Sequence, residues 1–161
     1  MWEICASKMT GLVNLSVRAN GNMTDDAVLT LATNLTSLRT LDIQQCNALT
    51  DRALLHLAEH SSSTLEVLYV DIKNPESTAT DHTLGTFAQK CSKLRYLNIN
   101  CGNKVLCAGR GTSLLVRGCP ALQTLVVNRH EVIGRSSRDF IATFRPELKL
   151  LVHDHSTVYN I

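Results

Sequence analysis

The chain has 161 residues, 44% of them hydrophobic but only 4% aromatic, with a net charge of +2. This is one domain's worth of sequence, and its basic residues are too scattered to point to nucleic acid or to an anionic membrane surface. No apolar run approaches the roughly 18 residues that cross a bilayer as a helix, and Met1–Lys8 (MWEICASK) lacks the pattern of a leader.

In chain order, Trp2, Ile4 and Cys5 read as the tail of a helix from a preceding repeat. From Leu12 onward the sequence repeats itself, with starts at Leu12, Leu38, Leu65, Leu94, Leu122 and Leu148, spaced 26, 27, 29, 28 and 26 residues apart. The third and fifth positions after each start are aliphatic: Leu15/Val17, Leu41/Ile43, Leu68/Val70, Leu97/Ile99 and Leu125/Val127. The sixth copy is degenerate, with Leu151 followed by His153 at the strict fifth position. Alternation of this kind is that of a half-buried strand. Downstream, Leu49, Leu54, Leu57 and Ala58 recur at the spacing of a helix's buried face, with Leu31-Ala32 and Phe87-Ala88 at matching places. Thr24-Asp25, Thr50-Asp51 and Thr80-Asp81 supply a candidate N-cap and a first-turn acid for each of three helices.

A single strand–helix unit of this size leaves an apolar side bare and must stack on copies of itself. The expectation is an α/β solenoid of five to six repeats spanning residues 1–161 as one domain. Repeat three carries an insertion, Lys73–Ala79 (KNPESTA), whose proline and polar cluster read as a surface loop. Repeat four lacks Thr-Asp and holds three glycines between Cys101 and Ser113, with its helix expected over Thr112–Arg117. Its Gly109-Arg110-Gly111-Thr112-Ser113 lacks the spacing and the lysine of a phosphate-binding loop. In repeat five, Phe140, Ile141 and Phe144 form the helix face and Pro146 suits a stop.

These residues resemble the cysteine-containing class of leucine-rich repeats, most familiar in the F-box proteins of ubiquitin ligases. The second repeat fits that unit almost throughout, with Cys46 in the ladder position; Asn20, Lys73, Gly102 and His130 stand there in the other full repeats, and the helix-end cysteine is present at Cys91 and Cys119. The resemblance implies parallel strands on a concave face, helices on the convex face, and a role as the substrate-recognising region of a Skp–cullin–F-box ligase. Adaptor and cullin would be reached only through an F-box, which is not among these residues, so a fragment of a longer protein is expected. The rival expectation is a scaffold or assembly factor with no ubiquitin function. Cysteines at buried repeat positions act as small hydrophobes, which favours a reducing compartment, cytoplasm or nucleus.

Side chains alternate along a strand, so the second, fourth, sixth and seventh positions after each start face away from the core. Asp42, Gln44, Val67, Tyr69, Asp71, Tyr96, Asn98, Asn128 and Arg129 are the candidate protein-binding residues. Ile72, Val126 and Leu150 fall in the same rows. Tyr69 and Tyr96 should be diagonal neighbours, with Val67 and Ile72 beside them and Asp42, Asp71 and Arg129 as flanking charge. An aromatic centre with a polar rim is the anatomy of a protein-binding surface. Chemistry is poorly supported: His153, Asp154 and His155 form a metal-binding fragment without a nameable third ligand element, and no nucleophile–base set can be assembled. The expectation is a binding module with no cofactor and no enzymatic role.

Overall fold

The computed structural model describes residues 7–72, 80–101, 110–128, 135–154 and 157–160. Strands and helices alternate: β1 (Asn14–Ser16), α1 (Asp25–Asn34), β2 (Thr40–Asp42), α2 (Asp51–His60), β3 (Val67–Ile72), α3 (Asp81–Lys90), β4 (Tyr96–Cys101), α4 (Arg110–Gly118), β5 (Thr124–Asn128), α5 (Arg135–Phe144), β6 (Lys149–Asp154) and β7 (Thr157–Asn160). β1 to β6 lie side by side in chain order, all parallel, and β7 closes the sheet antiparallel to β6. This is a solenoid-like α/β repeat.

The repeat leucines set the register. Leu15, Leu41, Leu68, Leu97 and Leu125 pair in succession across five strands. At the first four steps two successive N–H groups donate to one carbonyl just before the previous strand, as Glu66 and Val67 do to Arg39 O. Inner strand residues and the helix residues Leu31, Leu54, Leu57, Leu84, Phe87 and Leu115 form one contiguous core. Each such buried aliphatic side chain contributes about 1.5–3 kcal/mol relative to exposure.

Two expectations about side-chain direction fail for the same kind of reason. At the sixth strand only Lys149 N donates to Gln123 O, because the chain there is one residue shorter before the strand. Leu125 therefore pairs with Leu150, and Leu150 is buried in the core while Leu151 stands a step out of the expected frame. In repeat three the strand runs on past the usual turn, so alternation continues and Ile72 points inward, fully buried. In repeats one and two the chain instead turns through left-handed residues at that place, Ala19 (φ 55°) and Gln45 (φ 61°).

The Thr-Asp pairs do more than cap their own helices. Thr24, Thr50 and Thr80 accept the N–H groups of Ala27, Arg52 and Thr83, each cap being worth about 1 kcal/mol. Asp25 also reaches the next repeat, where its carboxylate accepts Thr50 N–H at 2.8 Å and the Thr50 hydroxyl at 2.6 Å. Asp81 likewise accepts Gly111 N–H at 2.6 Å. The start of α4 is thus neutralised by a carboxylate of this chain, and α4 runs longer than expected from its shortened pattern. At the other end of α4, the Arg145 guanidinium donates to the carbonyls of Val116, Cys119, Pro120 and Leu122 and pairs with Glu147.

Cys46, Cys91 and Cys119 are unpaired and buried, as their repeat positions imply. Cys46 Sγ donates to Val17 O at 3.2 Å, tying one repeat to the next. Burial pushes the Cys91 and Cys119 thiols up to about 12 from an ordinary 9.0. A thiol pKa raised by folding stabilises the fold fully below about pH 9, and that contribution is lost as pH climbs toward about 12. Denaturant midpoints are therefore expected to fall between pH 9 and 11, and native protein should react with a thiol reagent at these three sites only on unfolding.

The helix-end position held by Cys91 and Cys119 is Ser61 after α2, where the hydroxyl is buried without a hydrogen-bond partner among the described residues. An orphaned buried hydroxyl costs about 1–3 kcal/mol. Ser61→Cys, or Ser61→Ala, is expected to raise stability by about 1 kcal/mol in a urea titration.

Candidate functional site

The face of the sheet opposite the helices carries the candidate residues. β3 and β4 are its longest described parallel pair, and their register places Val67 beside Tyr96, Tyr69 beside Asn98 and Asp71 beside Asn100. Tyr69 and Tyr96 are diagonal neighbours as expected, with ring centroids 4.8 Å apart and planes tilted by 42°. That is the range in which aromatic pairs attract beyond simple burial. Burial pushes the Tyr96 phenol above its ordinary value, and the neighbouring Tyr69 adds to the shift. Val67, Tyr69, Asp71, Tyr96 and Asn98 are all half-buried, so they form a continuous shelf rather than separate exposed side chains.

The polar rim divides into satisfied and unsatisfied groups. Asp42 accepts Gln44 N–H at 3.1 Å and pairs with Arg18 at 3.8 Å, so its charge is largely answered within the chain. Asp71 differs: its Oδ1 is sealed from solvent and has no hydrogen-bond partner among the described residues. A buried carboxylate oxygen left without a donor is unfavourable, and it lies two residues along the same strand face from Tyr69.

Three expectations change. Ile72 lies in the core and contributes nothing to this surface. Leu150 is removed by the one-residue shift described above. Val126 keeps its place on the outer face, next to Asn98 and Leu151. It is only 1% exposed, however, and stands outside the contiguous core. Asn128 ends β5, and its backbone alone is described; Arg129, the insertion 73–79, the ladder residues Lys73, Gly102 and His130, and His155 lie outside the described residues.

One convergence of metal-ligating side chains was missed by the sequence reading. His56, Glu59 and His60 lie on one face of α2, with one ligand atom from each within 4.8 Å of the others. Their spacing of three and four residues was the available signal. No helix among the described residues is long and apolar enough to cross a membrane.

No family model matches the chain, and no curated protein matches it. A chain of the yeast Rad7–Elc1 complex, known as a crystal structure, is similar in fold, with a TM-score of 0.53 and 16% identity. The match covers 84% of this chain and 42% of that one, so this chain corresponds to less than half of its neighbour's length. At such identity the likeness concerns the fold alone.

Proposed function

We propose that this chain is a leucine-rich-repeat solenoid of the cysteine-containing class that binds another protein on its free, concave sheet face, and that it is not an enzyme. The observation that carries the reading is the Tyr69–Tyr96 shelf on the sheet face opposite the helices. Half-buried tyrosines offer large rigid contact area at small entropic cost. The fold neighbour from yeast was itself crystallised in a protein complex, in keeping with a repeat surface built for partners.

The finer reading is the substrate-recognising region of an F-box type ubiquitin ligase. It rests on the sequence pattern of the repeats, above all Leu38–Ala58 with Cys46, and it needs an F-box elsewhere in the parent protein. Cytoplasm or nucleus is the compartment that suits three unpaired thiols. The alternative is a scaffold with no ubiquitin function. Affinity capture from cell extract with the full-length parent tests the two: adaptor and cullin among the captured proteins support the receptor, whereas specific partners without either support the scaffold. Capture of no specific protein would contradict both.

A further inference from the structure

We infer that the helix-side surface of the second repeat holds a divalent transition-metal site of the zinc class, formed by His56, Glu59 and His60. The three residues belong to the last turn and a half of α2. Residues three and four apart on a helix share a face, and here one ligand atom from each already lies within 4.8 Å of the others. A tetrahedral zinc with bonds of about 2.0–2.1 Å holds neighbouring ligand atoms about 3.3 Å apart. Closing that gap needs only side-chain rotation, which is open to Glu59 and His60 because both are exposed.

Further observations favour a cation here. His56 is held more firmly than the other two: it is half-buried, and its Nε2 is sealed from solvent with no hydrogen-bond partner among the described residues. Once the ring turns to bring it to the surface, that nitrogen gains from a ligand the chain does not itself supply. His60 is the final residue of α2, where the helix dipole presents its negative end and favours positive charge. The trio is also not a by-product of the repeat. The matching residues are Thr30, Thr33 and Asn34 in α1 and Thr86, Gln89 and Lys90 in α3, neither of which is a metal-binding set.

Two neutral imidazoles and one carboxylate leave one tetrahedral position open, to be filled by water or by a donor from a bound protein. The site lies on the helix side, away from the tyrosine shelf, and does not depend on the binding role proposed for that shelf.

The test is calorimetric titration of the purified chain with zinc chloride, repeated for His60→Ala, Glu59→Gln and, as a control on the exposed surface of α3, His82→Ala. Saturable binding of one equivalent is expected. It should weaken at least tenfold in His60→Ala and measurably in Glu59→Gln, and stay unchanged in His82→Ala. Because His60 and Glu59 are exposed, these variants keep their fold, and circular dichroism checks this. A melting temperature raised by zinc in the unsubstituted chain and unmoved in His60→Ala would agree. Absence of saturable binding, or equal affinity in His60→Ala, overturns the assignment.

Discussion

Gly118→Ala is expected to cost about 3 kcal/mol of stability, although alanine favours a helix over glycine by about 1 kcal/mol. The reversal comes from how closely α3 and α4 approach. A Cβ at Gly118 would lie 2.7 Å from both the Ala88 carbonyl carbon and the Ala88 Cβ, and closer still to the Ala88 oxygen. These are mostly backbone atoms, so no rotamer change relieves the overlap. Nor can the helices part freely, because Leu84 and Phe87 of α3 and Leu115 and Val116 of α4 sit in the same core. Gly111, seven residues earlier on the same face of α4, makes the second close contact; a Cβ there would meet Asp81 Oδ1 at 2.6 Å. The control is Gly85→Ala in α3. Its Cβ would meet only Leu114 Cδ1 at 3.6 Å, so this change should stabilise by about 0.5–1 kcal/mol. Urea titrations of both variants would read opposite signs, whereas a Gly118→Ala that stabilises as Gly85→Ala does would show that the α3–α4 approach is not as tight as described.

The second large effect is on binding. For a partner captured by this protein, Tyr69→Ala with Tyr96→Ala is expected to weaken affinity at least a hundredfold, about 2.7 kcal/mol or more. Each tyrosine covers part of the other, so one truncation also exposes its neighbour, and the paired loss should differ from the sum of the single losses. Tyr69→Phe and Tyr96→Phe keep the rings and should retain most of the affinity unless a hydroxyl donates directly to the partner. Asp71→Asn tests the charge beside them: its loss should lower affinity for a cationic partner surface while leaving folding intact. Unchanged affinity in the double alanine variant would place the partner elsewhere on the molecule.

Much of the fold was legible because stacking leaves little choice. A strand–helix unit with leucines at fixed places can bury them only against copies of itself, and the registered strands follow from that. The threonine caps were equally plain, since a Thr-Asp pair before a helical period has a local meaning. Asp25 and Asp81 had a second role that no local pattern reveals, because each carboxylate is used by the next repeat. Gly111 stands in a stretch that the sequence compares with a phosphate-binding loop and excludes as one, and Gly118 stands outside it; both answer to a helix–helix approach, which is a tertiary property.

The site was legible to the extent that strand alternation held. It placed Tyr69 against Tyr96 correctly, because both lie in the regular part of their strands. It failed at Ile72 and Leu150, where a strand runs longer or a connection is one residue shorter, since a single-residue change of frame moves a side chain to the other face. Val126 shows a different limit: its direction was right, but how far it is covered depends on neighbours that spacing cannot supply. His56, Glu59 and His60 were readable from spacing alone, yet they sit in the most regular repeat, where the leucine pattern drew the reading inward.

The most direct test of the central claim places a photoreactive amino acid at Asn98, on the free sheet face, and separately at Gln89, on the exposed surface of α3. Each variant, otherwise unchanged, is irradiated in extract. A discrete crosslinked protein is expected from position 98 and none of that species from position 89. The same species arising from position 89 alone would contradict it, and would move the binding surface from the sheet to the helices.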